Sequence, residues 1–410
     1  MALSTAERAT SALAALSDPR PVVRLQNRAR RIFARAEAMS AAWHTMTLGE
    51  RLVACSGRPS GFDYLRITLA ICVVIIHTGT TGYGIEGNNF FWETALRGIS
   101  KMVVPMFFAL SGFLVAGSLE RSNTLTMFVG LRIIRIFPAL TVEVLLSALI
   151  LGPIFTNLTL WNYFSDPLFF KYLLNVTGHV SFYLPGVFTS NLEKTVNSQL
   201  WTVPFELYCY LTLSGLIVIG LRKRGSLVLF GVVGMAVFSV AYAVYKRGDE
   251  WYLLSKAIPG LSLVSTFLAG VALHLYRDKV RWSAEYGLAS AIICYAGFQF
   301  VPGVDFFVFV PLAYLTVWMG LLNPPRNFFI EGADYSYGVY LYSFPIQQMV
   351  ASFGSFYRQW FISLPISLTI TTVFAAFSWH LIEKPFLSQK KILRKLEFRL
   401  HANTREKQPA

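Results

Sequence analysis

Long apolar runs separated by short polar connections recur along most of this chain. At about 20 apolar residues per crossing of the hydrocarbon, they predict membrane helices near residues 64–82, 99–119, 137–155, 199–220, 227–245, 258–276, 284–301, 305–322, 334–353 and 363–382. The expected fold class is all-α, a polytopic transmembrane helical bundle of about ten helices. Only Pro302-Gly303-Val304 divides the seventh run from the eighth, and the aromatic stretch 160–174 reads as a re-entrant or interfacial piece. Three regions follow: a basic, flexible cytoplasmic extension over 1–58, a membrane domain over 59–388, and a basic cytoplasmic tail over 389–410.

Composition supports the bilayer as solvent. The chain of 410 residues is 54% hydrophobic and 14% charged, with a mean hydropathy of +0.50, too apolar to build a soluble surface around a core. A formal charge of +14 raises nucleic acid as a partner, but the charges sit in the wrong places and no nucleic-acid motif accompanies them. Nine of the 36 Lys and Arg fall in residues 1–63 and eight in 384–410, flanking the apolar runs as cytoplasmic anchors near anionic lipid do. Arg121, Arg132, Arg135, Arg222-Lys223-Arg224 and the segment Arg277 to Arg281 fall on the same side as both tails, which is expected to be the cytoplasmic face of the inner cell membrane. Residues 1–58 lack an apolar run suited to a signal peptide, and Glu7, Asp18, Glu37 and Glu50 argue against a transit peptide. Cys55, Cys72, Cys209 and Cys294 are scattered, without a CxxC pair, so they read as packing residues and offer neither a metal site nor a disulfide framework. Corresponding broken helices in two repeated halves, a mark of many transporters, are absent from the pattern.

Ionisable residues inside apolar runs are expensive and are candidates for function. Arg66 and His77 stand 11 residues apart, three turns plus roughly 20°, so they share a stripe with an axial separation of about 16 Å. Arg66 falls near the cytoplasmic headgroups, where it either snorkels to lipid phosphate or lines a cavity; His77 falls deep, as a hydrogen-bonded core histidine or a base. Glu206 sits about 10 Å in from the outer end of its helix. It could orient an imidazole, bind a substrate hydroxyl or make an interhelical hydrogen bond, and Pro204 just above it would loosen the helix. Arg132 and Arg135, spaced i, i+3 immediately before a predicted helix, form either a fork for phosphate or a pair of positive-inside anchors. The small residues of Phe107-Phe108-Ala109-Leu110-Ser111-Gly112-Phe113-Leu114 would let backbones approach closely. Asp334 to Tyr340 and Trp379 to Pro385 read as interfacial aromatic belts and a helix end.

Taken in order over roughly residues 60–388, these segments resemble the acyltransferase-3 family of membrane-bound acyltransferases. The matching pieces are Gly61 to Arg66 followed by His77, the family's R-x10-H pattern; Phe107 to Leu114 as its FFxLSGFL segment; Arg132-x-x-Arg135 before Pro138; Leu200-Trp201-Thr202 with Glu206 and Tyr208; Tyr335-Ser336-Tyr337-Gly338 with Tyr340-Leu341; and Glu383-Lys384-Pro385. The resemblance implies ten membrane helices, acyl-CoA (acetyl-CoA first) as a transient cytoplasmic donor with no permanently bound cofactor, and a hydroxyl of a glycan or lipid-linked saccharide as acceptor at the other face. It implies roles as well: His77 as catalytic base with Arg66 and Glu206 in the catalytic set, and Arg132, Arg135 and Ser111 in donor binding. Two departures stand out, the extension before the motif and the lack of a hydrolase-like domain after the last predicted helix; the resemblance is to stand-alone exopolysaccharide, lipopolysaccharide and Nod-factor O-acetylases. On sequence alone, a transporter of a polar substrate is the alternative.

Overall fold

The computed structural model describes residues 46–122, 124–253, 257–327, 332–390 and 392. Most of the basic extension and most of the tail lie outside the described residues. Helices appear at every predicted run: α1 Gly61–Glu93, α2 Arg97–Glu120, α3 Leu125–Leu146, α4 Val203–Ile219, α5 Leu227–Arg247, α6 Gly260–Leu275, α7 Ala284–Phe300, α8 Phe309–Gly320, α9 Ser336–Ser352 and α10 Trp360–Ser378. No strand occurs among the described residues, and the molecule is a polytopic helical bundle. Among the described residues, six segments are long and apolar enough to cross a membrane: α1, α2, α3 with its continuation to Phe155, α4 with the turn from Ser198, α5 with its continuation to Glu250, and α10 with its continuation to Ser388. The others are shorter. With 12 residues, α8 reaches only about 18 Å, and it packs against α2, α6 and α7 instead of standing alone.

α2 is the axis of the bundle, packed by α1, α6, α7 and α8. Of its most apolar stretch 67% is buried, against 22% for α5 at the periphery. The small residues in α2 explain that intimacy: a Cβ on Gly112 would collide with the Phe267 carbonyl of α6, and one on Gly270 with the Ala109 carbonyl of α2. Backbone approach at this segment is therefore real, as the sequence pattern implied.

Three predicted boundaries shift for physical reasons. α3 begins at Leu125, capped by Thr124, whose side chain accepts from the Met127 amide, so Arg132 and Arg135 lie about 10 and 15 Å inside the helix rather than before it. Their side chains turn from lipid into the protein, which an apolar-window argument does not detect. Residues 198–202 form a 3₁₀ turn, and Pro204 sits in the first turn of α4, where its missing N–H costs nothing; it does not loosen a helix above Glu206. Residues 46–58 of the expected extension are packed on the bundle, with a helix at Leu48–Ala54, Leu48 fully buried, and the Leu48 amide donating to the Val280 carbonyl at 2.9 Å.

The segment 156–198 folds over the other end of α3. Its aromatic stretch makes two short helices, Leu160–Ser165 and Pro167–Leu173, and the Tyr163 hydroxyl donates to the Ala148 carbonyl at 2.7 Å. That carbonyl lies in a π-helical turn, Ser147–Leu151, where one extra residue per turn frees backbone groups for such bonds.

Candidate active site

A cavity of about 800 Å³ opens between α1, α2, α3, α4 and α9, within the range that encloses a sizeable organic ligand. Along α2 its wall runs from Val104 through Phe107, Ser111 and Ser118 to Arg121, about 25 Å of helix. Arg66, Ser111, Arg132, Arg135 and Glu206 all line it. His77 does not.

The charged wall is organised by Asp334, which the sequence reading left in an aromatic belt. Its Oδ2 accepts from Arg66 Nη1 at 3.0 Å and from Arg135 Nη2 at 2.7 Å, and its Oδ1 accepts from the Ser336 hydroxyl at 2.5 Å. Arg135 Nη1 also donates to Glu383 at 3.2 Å. Glu383 lies in a second π-helical turn, Trp379–Glu383, after α10, and is only 2% exposed. Two guanidiniums against two carboxylates thus tie α1, α3, the start of α9 and the end of α10 together. Because a bifurcated carboxylate fixes both planar forks, Arg66 and Arg135 present their remaining donors in set directions.

Arg132, one turn before Arg135 on α3, donates from Nη2 to the Ser118 hydroxyl at 3.2 Å, and its guanidinium lies over the Tyr210 ring at 5.9 Å. The Tyr210 hydroxyl in turn donates to Glu206 Oε1 at 2.6 Å. Glu206 therefore engages Tyr210 on its own helix, one turn on. No hydrogen bond joins it to an imidazole among the described residues, and the His77 Nδ1 atom is buried there with no hydrogen-bond partner.

The shared stripe of Arg66 and His77 is nevertheless real, because both face α9. Arg66 meets Asp334 before its first turn, and His77 packs edge-on against Phe344 with ring centroids 5.0 Å apart. Between them stand Phe107 and Tyr340, ring to ring at 5.9 Å, both lining the cavity. The Tyr340 hydroxyl lies 2.8 Å from the Thr202 hydroxyl and donates to the Gln199 carbonyl at 3.1 Å. These rings form the floor, and His77 lies about one helical turn beyond it, as Phe344 follows Tyr340.

Asp334, Ser118 and Tyr210 were missed from sequence as site residues, and Glu383 was named only within a family motif, without a role. Asp334 and Glu383 sit in segments that read as an interfacial aromatic belt and a helix end, and Asp334 meets its partners Arg66 and Arg135 across 268 and 199 residues. The i, i+4 spacing of Glu206 and Tyr210 was the one local signal available.

The family profile for acyltransferase-3, described as an acyltransferase domain, matches residues 60–381. The chain belongs to the acyltransferase-3 family. It is 26% identical over 335 residues to the O-acetyl transferase of Shigella phage Sf6, covering 80% of this chain and 96% of that one. It is 28% identical over 363 residues to Nodulation protein 10 of Rhizobium leguminosarum bv. viciae, covering 82% and 96%. No solved structure matches it significantly. The chain is thus an acyltransferase of oxygen acceptors, and this acyltransferase-3 domain contains nearly the whole charged wall; Glu383 falls just past the matched segment.

Proposed function

We propose that this acyltransferase moves an acyl group, acetyl foremost, from cytoplasmic acyl-CoA to a hydroxyl of a surface glycan or lipid-linked sugar at the opposite face of the inner membrane. The cavity carries the reading. Seven basic side chains line it against three carboxylates, an excess suited to a phosphorylated ligand, and its length suits a donor whose phosphates and reacting carbonyl lie far apart. The O-acetyl transferase name of the phage relative supports acetyl as the group. The gathering of basic residues at the mouth supports a cytoplasmic opening and cytoplasmic termini.

In this reading Arg132 and Arg135 hold the diphosphate, Arg66 and Ser111 flank the pantetheine arm, Glu206 acts through Tyr210 on the wall, and the thioester reaches the floor at Phe107 and Tyr340. His77, just beyond, stands between the donor cavity and the face from which the acceptor arrives. The imidazole takes the hydroxyl proton as the oxygen attacks the thioester carbonyl; collapse breaks the C–S bond, and the imidazolium returns the proton to the thiolate. No permanently bound cofactor is required.

His77→Ala tests the proposal. Inserted at the normal level, it is expected to lower O-acetylation of surface glycan, measured by mass spectrometry, by about 10²–10⁴-fold while acetyl-CoA still protects the purified protein against heat. Undiminished O-acetylation would remove His77 as the base, and failure of acetyl-CoA to protect the wild type would remove the donor.

A further inference from the structure

The cations of the cavity fall into two tiers. Arg66, Arg132 and Arg135 are half-buried, and their guanidiniums are engaged by Asp334, Glu383 and Ser118. Arg58, Arg121, Arg326 and Lys390 also line the cavity, but all four are exposed, so they form its rim, to which the three arginines contribute guanidiniums. The arginines come from three separate segments: the link between the Leu48–Ala54 helix and α1, the C-cap of α2, and the link between α8 and α9. Arg326 Nη2 donates to the Arg58 carbonyl at 3.1 Å, holding two of these segments together. The one carboxylate in this tier is Asp63, 3.5 Å from Arg326. Arg58 and Arg121 enter no salt bridge among the described residues.

We infer that this rim is a subsite for a phosphomonoester at the far end of the ligand, which on acyl-CoA is the 3′-phosphate of the adenosine. Three guanidiniums and the Lys390 ammonium against one carboxylate leave a net positive charge, suited to a phosphomonoester that carries about −1.5 to −2 near neutral pH. Position agrees. From the floor at Phe107 to Arg121 is about 21 Å along α2, so a group at the rim belongs to the end of an extended ligand remote from its reacting carbonyl. A lone cation at the C-terminus of α2 is expected from the helix dipole; Arg58 and Arg326 have no such reason to converge on it. The phosphate of an anionic lipid headgroup shares this chemistry and is the competing source.

The inference rests on the acyl-CoA reading, and the experiment separates the two. Binding of CoA and of 3′-dephospho-CoA is measured on the purified full chain in detergent, for the wild type, Arg58→Gln/Arg326→Gln, and Arg121→Gln, the last of which breaks no salt bridge with another segment among the described residues. The wild type is expected to prefer CoA by about tenfold or more, the size of one charge-assisted hydrogen bond. The variants are expected to bind both ligands alike, with affinity for 3′-dephospho-CoA unchanged. Equal affinities in the wild type, or full discrimination retained by both variants, overturn the rim subsite and leave the donor reading standing; no binding of either ligand overturns both. Loss of affinity for phosphatidic acid vesicles in the variants, with discrimination between the two nucleotides intact, assigns the rim to lipid and overturns the inference.

Discussion

The two ends of α9 carry two buried polar clusters built from different chemistry. At its start, Asp334, Arg66 and Arg135 form ion pairs whose side chains remain 21%, 27% and 24% exposed along the cavity wall. At its far end, Gln347 and Gln348 are fully buried and Asn191 is 4% exposed, and the partners are neutral. Gln347 Nε2 donates to the Val74 carbonyl and the Thr78 hydroxyl, both at 2.7 Å. Gln348 Nε2 donates to the Glu193 and Thr195 carbonyls at 2.8 and 2.6 Å. Full charges persist where a cavity lets water soften their desolvation, and amides take over where none reaches them. A charged donor entering at one end and a neutral, hydroxyl-rich acceptor approaching the other would each meet matching chemistry, with His77 between.

Removing the shared carboxylate of the charged end is the strongest way to break this comparison. Asp334→Ala leaves Arg66 and Arg135 as neighbouring like charges without their common acceptor, and it unties α1 from α3. We expect a loss of about 2–4 kcal/mol, read as a lowered thermal midpoint of the purified protein, together with weakened CoA binding. Asp334→Asn, which keeps acceptor and shape but not charge, is expected to lose less. A cost for the alanine variant within about 0.5 kcal/mol, the range of ordinary surface changes, would mean that the cluster does not hold these helices.

How much of this was legible beforehand differs between the ends. The helices were, because apolar runs of the right length are the dominant physical signal in a membrane chain. Arg66 and Glu206 were legible as candidates because polar groups in apolar runs need a reason to be there, whereas Arg132 and Arg135 read as a fork or anchors ahead of their helix and Ser111 entered only through the family resemblance. Asp334 and Glu383 lie at helix margins, where charge costs little, and only tertiary contact across some 200 residues or more turns them inward. The separation of His77 from the cavity was hidden too. Helical geometry gave its stripe and its depth, but the rings of Phe107 and Tyr340 that close the floor come from two other helices. Nothing in the run of residues 156–198 signalled that Asn191, Thr195 and Asn197 would be buried against α9 and α3.

A smaller effect is expected at the amide end. Gln348→Leu keeps the volume but strands the Glu193 and Thr195 carbonyls, and the Asn191 Nδ2 group loses its 3.0 Å bond to Gln348 Oε1. We expect about 1–2 kcal/mol and faster limited proteolysis within residues 156–198, since these bonds pin that segment to the bundle. Unchanged proteolysis would show that the aromatic packing of Tyr163 and Tyr172 holds the segment without the amides.

The smallest effect is expected at Glu143, a carboxylate of the neutral region that is 1% exposed. It accepts from the Ser147 hydroxyl at 2.7 Å and from Asn197 Nδ2, and no salt bridge pairs it with a cation among the described residues. Both Glu143 Oε2 and Asn197 Oδ1 lack a hydrogen-bond partner there. Glu143→Gln preserves the acceptor at Oε1 and places an amide donor near that unsatisfied Asn197 oxygen. It should therefore cost under about 1 kcal/mol or stabilise slightly, since it removes the charge whose burial is expensive and supplies a missing bond. Thermal unfolding of the purified variant decides the matter. A loss above about 3 kcal/mol, the scale of an uncompensated buried charge, would mean that the native side chain works as an anion with an unrecognised counter-ion, and the division into a charged end and a neutral end would fall.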